Sequence, residues 1–207
     1  MRLSWIRGRT MGTGLALLLL ATGTWWAANR TLSNDEAIEL PEKVCNGRIS
    51  AKSLAPLVPT KGQKFSESAF TFDEAQEHGY CLLEAGGESA SITYTAAPSN
   101  NLPRKWIQKR GRPAALGDQY GYVSAAGEVF IYLQCTTKSP AVEERLKSGV
   151  VISVSASTVH DDDLEEPNVQ LRALAAFVAE AARDLHGWYG CDGPTLADGP
   201  VTIDWSK

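Results

Sequence analysis

The chain has 207 residues, 43% of them hydrophobic and 21% charged, the balance of a globular protein long enough for one sizeable core. Its formal charge is −4, yet Arg2, Arg7 and Arg9 place three of the 20 basic residues in the first ten positions, where there is no acid. The remainder sets 17 basic residues against 24 acids, a formal −7, and a net acidic exterior argues against a nucleic-acid partner, which needs a basic face.

Met11–Ala28, MGTGLALLLLATGTWWAA, is the one long run without a charge. As an α-helix it would rise about 27 Å, close to the thickness of a bilayer core. Trp25 and Trp26 fall at the end where indole rings favour headgroups. The arginines before the run, against Asp35, Glu36 and Glu39 after it, orient the N-terminus to the cytoplasm. A secretory signal peptide has a similar layout, and cleavage near Gly23, after Ala21-Thr22-Gly23, is the alternative. Cutting after Ala27 or Ala28 would put a tryptophan where the peptidase needs a small residue, and no Cys follows at lipoprotein spacing. Because the apolar character continues to Ala28, we expect an uncleaved signal-anchor crossing the cell membrane once. The expected organisation is a cytoplasmic basic tip (1–10), a transmembrane helix (11–28), a linker (29–41) and an extracytoplasmic domain (42–207).

The four cysteines, Cys45, Cys81, Cys135 and Cys191, are widely spaced and form no CxxC pair. An even number of scattered cysteines in an exported chain implies two disulfides rather than free thiols or a zinc site. Three pairings are open. We expect Cys81–Cys135, joining two strands, and Cys45–Cys191, tying the entry of the domain to its exit.

Along the domain, Ser50 is a suitable N-cap for a short helix at Ala51–Leu57, which Pro56 would end near Ala55. Ser68–Phe72 alternates enough for a strand. Tyr80–Ala85 and Ser89–Ala96 flank Gly86-Gly87, a dipeptide suited to the positive φ of a hairpin turn. Asn100–Arg112 shifts to a helical pattern, with Pro103 in its first turn and Gly111 at its stop. Gln119–Thr136 forms a second hairpin around Ala126-Gly127, and Gly149–Thr158 alternates as a strand with one serine face. Pro167–His186 is the strongest helix: Leu171, Leu174, Val178, Ala181 and Leu185 recur at helical spacing, and Gly187 is a natural stop. Val201, Ile203 and Trp205 suggest a last edge strand. The fold class is therefore α+β: a single domain with a mainly antiparallel sheet and a long C-terminal helix packed on it, preceded by one N-terminal transmembrane helix.

This layout, with TGTWWAANRTLS, VCNGRISAKSLAPLVP, YCLLEAGG and LRALAAFVAEAARDLHGWYGCDGP, resembles uncharacterised actinobacterial exported, membrane-anchored proteins. It is more distantly similar to small actinobacterial lipoprotein domains, although the lipobox Cys is missing. The resemblance covers most of the chain and implies no activity.

Chemistry-bearing residues are sparse. His78, His160 and His186 are far apart, no G-x-S-x-G or H-E-x-x-H occurs, and no thiol is left once the cysteines pair. No catalytic residue and no cofactor is expected. Asp161, Asp163 and Glu165 begin like a calcium loop, but Glu166 stands where the loop needs glycine and Arg172 where it needs glutamate. A solvated stretch at the positive end of the following helix is the preferred reading. Arg104, Lys105, Lys109, Arg110 and Arg112 gather around Trp106, and such a group could touch an anionic lipid or wall component. The preferred reading is a solvated helix face with Trp106 and Ile107 packed inward. The function expected is a membrane-tethered extracytoplasmic binding or interaction module without catalysis. Its partners would be the membrane, an envelope protein or an anionic wall or lipid component. The alternative is an exported hydrolase with a site near His160.

Overall fold

The structure is a computed structural model and describes residues 36–70, 78–98, 103–137, 150–159, 167–192 and 196–206. The expected transmembrane helix Met11–Ala28 lies outside these residues. Among those described, no helix is long and apolar enough to cross a membrane.

The domain is α+β, with one large antiparallel sheet and one long C-terminal helix. Its elements are β1 (Lys43–Val44), β2 (Ile49–Ser50), a 3-10 turn (Ala55–Leu57), β3 (Ser66–Phe70), β4 (His78–Ala85), β5 (Glu88–Pro98), α1 (Arg104–Ile107), β6 (Arg112–Leu116), β7 (Gln119–Val123), β8 (Val129–Thr137), β9 (Val150–Val159), α2 (Pro167–Trp188), β10 (Cys191–Asp192) and β11 (Thr202–Ile203). The sheet order is β11-β6-β7-β8-β9-β5-β4-β3, with β10 paired to β8, and β1-β2 forms a separate small hairpin.

Alternation along the strands creates two faces. Leu83, Ile92, Tyr94, Ile131, Leu133, Ile152 and Val154 are wholly buried on the inner face, where α2 packs. Helix α2 is buried on more than its predicted stripe: Ala175, Ala179 and Ala182 are buried as well as Leu174, Phe177, Val178 and Leu185. One side rests on β8 and β9, and another is covered by β2 and the 3-10 turn. Alanines let both layers approach the helix. Arg48 holds the outer layer through its ion pair with Asp184 at 2.8 Å and lies over the Trp188 ring at 4.4 Å. Ser50 N–H donates to Glu180 Oε1 at 2.8 Å. The segment expected as a linker is stitched in where it is described: Ile38 N–H donates to the Thr60 carbonyl at 3.0 Å.

Two disulfides are present, but they join Cys45 to Cys81 and Cys135 to Cys191, not Cys81 to Cys135 and Cys45 to Cys191. Strand order is the reason. Cys81 on β4 and Cys135 on β8 are separated by β5 and β9, three strand spacings or about 14 Å. A disulfide spans less than about 7 Å between Cα atoms.

Several elements differ from expectation. The short helix at 51–57 is inverted: Ala51–Leu54 are turns, and the 3-10 segment begins where Pro56 was expected to end a helix, because proline fits a first turn. Of the helix expected over 100–112, the described residues form one at Arg104–Ile107, and Arg112–Leu116 is a strand. Gly111 is not a helix stop. A Cβ there would lie 2.0 Å from the Val123 carbonyl oxygen, so the residue permits close approach of β7. Pro113 is accommodated in β6 by supplying its carbonyl, which accepts from Asp204 N–H at 2.9 Å. Gly187 lies within α2, and the left-handed residue after the helix is Gly190, φ 58°. The Gly86-Gly87 turn takes the expected positive φ values, 65° and 92°.

Candidate functional site

The outer face of the sheet carries the basic segment. Tyr120 and Tyr122 on β7 lie directly opposite Tyr132 and Phe130 on β8, so four aromatic rings share one face. Tyr122 and Phe130 stack at 4.6 Å with an angle of 9°, and Tyr132 lies 6.5 Å from Tyr120 and 6.4 Å from Tyr122. A short helix closes over them, because α1 inserts its wholly buried Ile107 into this second cluster. Arg104, Lys105, Trp106, Lys109 and Arg110 are exposed, Trp106 by 47%.

The phenols bury their rings and keep their hydroxyls satisfied. Tyr132 hydrogen-bonds with Tyr122 and Ser153, and Gln134 Nε2 donates to the Tyr120 hydroxyl at 3.2 Å. Burial, reinforced by the Tyr122 phenol, pushes the Tyr132 hydroxyl above its ordinary pKa, while the nearby positive charge of Arg110 and the Ser153 hydrogen bond oppose that rise. At the first residue of β7, the buried Gln119 side chain accepts the Gln134 N–H at 2.9 Å. The guanidinium of Arg104 sits 5.7 Å from the Tyr120 ring centre, and that of Arg110 3.9 Å from Trp106. These are cation–π distances. None of Arg104, Lys105, Lys109 and Arg110 makes an ion pair with an acid among the described residues.

Beyond the aromatics the same face turns into hydroxyls. Ser153, Ser155 and Ser157 on β9 lie opposite Thr95, Thr93 and Ser91 on β5. Ser91 and Ser157 are hydrogen-bonded, 2.9 Å between their oxygens. On β4, Tyr80 lies opposite Thr93 and is 38% exposed.

Five of the six residues expected to form the basic group therefore come together on or beside α1. Arg112 does not join them. It belongs to the inner-face register of Ala114 and Leu116, and its guanidinium lies 5.0 Å from the Trp205 ring, with Arg172 5.9 Å from the same ring. Trp106 is exposed rather than packed inward, because Ile107 takes the buried position. His160 and the acidic residues Asp161, Asp163 and Glu165 lie outside the described residues. His78 sits at the start of β4 and His186 near the end of α2, and no three His, Cys, Asp or Glu side chains gather to hold a metal ion among the described residues. A cavity of about 730 Å³ opens at the chain's entry, lined by Glu36, Ala37, Glu39, Leu40, Pro41, Lys64 and Phe65. Its one ion pair, Lys64–Glu36 at 3.5 Å, is well exposed.

No protein family, curated protein or solved structure matches the chain.

The tyrosine platform was missed as a site. Its signal was present in the period-two placement of Tyr120, Tyr122, Phe130 and Tyr132, which reads as the apolar side of any hairpin.

Proposed function

We propose that the chain is a non-catalytic binding module tethered by Met11–Ala28 at the outer face of the cytoplasmic membrane, and that its α1 surface engages an anionic component of the envelope. The observation carrying this reading is the group of four cations beside an exposed Trp106, none of them balanced by an acid among the described residues, in a chain whose body is net acidic. Local charge opposed to the overall charge favours one orientation of an anionic partner. Arginine and tryptophan are also the residues that hold binding energy at contact surfaces. The two disulfides support an oxidising compartment, which agrees with export.

Charge reversal tests the proposal. The full-length chain, held in uncharged nanodiscs, is mixed with phosphatidylglycerol vesicles or with an acidic polysaccharide, at low and high salt. Wild type should bind at least one of them in a salt-sensitive way, and Lys105→Glu with Arg110→Glu should abolish that binding. Unchanged binding by the double variant would rule out the α1 surface.

A further inference from the structure

The geometry points to an anionic polysaccharide as the occupant, lying across the outer face with its sugar rings on the hydroxyl rows of β9 and β5 and its acid groups against α1. This rests on the anionic-partner reading above and names its chemistry.

Among the described residues α1 packs over β7 and no helix packs on the outer side of β9 and β5, where Ser153, Ser155, Ser157, Ser91 and Thr93 are half-buried and Thr95 is exposed, beside the cations of α1. One row of the register crosses that side: Tyr122, Phe130, Ser155, Thr93 and Tyr80, on five successive strands. From β8 to β4 this spans about 14 Å, room for a few sugar rings. Hydroxyls both donate and accept, as sugar hydroxyls do, and they match such a ligand without knowing its orientation. The backbones of Thr93, Thr95 and Ser155 are held in the β5-β9 ladder, but their side-chain hydroxyls meet no hydrogen-bond partner among the described residues, whereas the Ser153 hydroxyl is engaged with Tyr132 and that of Ser91 with Ser157. Tyr80 at the far end and Trp106 at the near end are exposed aromatic rings of the kind that meet the C–H faces of sugars, one face of Trp106 being taken by Arg110. Arg104 and Arg110 supply planar donors suited to carboxylate, sulfate or phosphate groups.

The same features disfavour the other occupants. A bilayer is gripped by apolar side chains beneath a basic face, and the hydroxyl floor has nothing to insert. Protein contact surfaces are depleted in serine at their centres, and here serine and threonine form the centre.

The test measures binding of the full-length chain, held in uncharged nanodiscs, to polygalacturonate, to a neutral glucan, to polyphosphate and to phosphatidylglycerol vesicles. Two variants remove hydroxyls or ring area and leave charge alone: Thr93→Val with Ser155→Ala, and Tyr80→Ala. Valine and alanine should keep the strands, which circular dichroism checks. Wild type should prefer polygalacturonate to polyphosphate and to vesicles, and each variant should weaken polygalacturonate binding about tenfold with polyphosphate binding unchanged. Equal binding of polyphosphate and polygalacturonate, or variants that bind polygalacturonate as wild type does, overturns the sugar track and leaves the anionic surface standing. Preference for vesicles overturns the track in favour of a lipid surface. Binding to none of the polyanions removes both proposals together.

Discussion

Removing either disulfide should cost a large share of the stability of this domain, and the amounts follow from the observed pairing. Cys45–Cys81 closes a separation of 36 residues and Cys135–Cys191 one of 56. In the chain-entropy treatment these are worth ~3.8 and ~4.2 kcal/mol. Cys45 and Cys81 are wholly buried, so Cys45→Ala with Cys81→Ala also leaves a small cavity, adding about 1 kcal/mol. The two loops neither overlap nor nest, so the costs should add to roughly 9 kcal/mol when both are removed, the cavity included. Domains of this size are stable by roughly 5–15 kcal/mol, which puts the variant with no cysteines at the edge of folding. Losing Cys45–Cys81 should also loosen the β1-β2 hairpin from α2, since two-residue strands cannot hold themselves. Urea unfolding of the full-length chain in uncharged detergent, followed by tryptophan fluorescence, measures the losses, and hydrogen exchange over residues 43–57 reports the hairpin. Non-reducing peptide mapping should link Cys45 to Cys81 and Cys135 to Cys191. A loss below about 1 kcal/mol for both double variants, or a map joining Cys81 to Cys135, would refute the reasoning.

Gly121→Ala should be severe, costing more than about 3 kcal/mol, because its Cβ would stand 1.8 Å from the Phe130 carbonyl oxygen between the strands that carry the tyrosines. Gly127→Ala, with open space around it but φ at 83°, should cost only about 1 kcal/mol; equal losses for the two would contradict the close approach of β7 and β8. The Tyr132 phenol is raised above its ordinary 10.0 in the folded chain, so the unfolded chain gives up that proton first as pH rises. Its contribution is therefore complete below pH 10 and is lost as pH climbs through the folded value; Tyr132→Phe should flatten the alkaline fall in stability, and an equally steep fall in the variant would show that another group is responsible.

Elements with a strong local rhythm were legible. The β4-β5 hairpin follows from alternation on each side of Gly86-Gly87, β9 from one apolar and one serine side, and α2 from apolar residues at helical spacing. Arg104–Arg112 was harder, since its basic residues fit a helix and only the approach of β7 turns Arg112–Leu116 into a strand. The basic group was visible as composition, but its division between two faces was not. Arg112 is two residues from Arg110, and only the β6 register sends it to the inner face with Trp205.

The sequence by itself determined the α+β class, the long helix, the Gly-Gly hairpin and the presence of two disulfides. Each depends on a few neighbouring residues or on an even count of cysteines. Only the tertiary structure decided which cysteines pair, which residues share the outer face, and that a four-residue helix covers the tyrosines. Those outcomes hang on strand order. Several strands of similar pattern could be arranged in many ways, and the arrangement is set by long-range packing of β8 and β9 beneath α2, which no local window of residues contains.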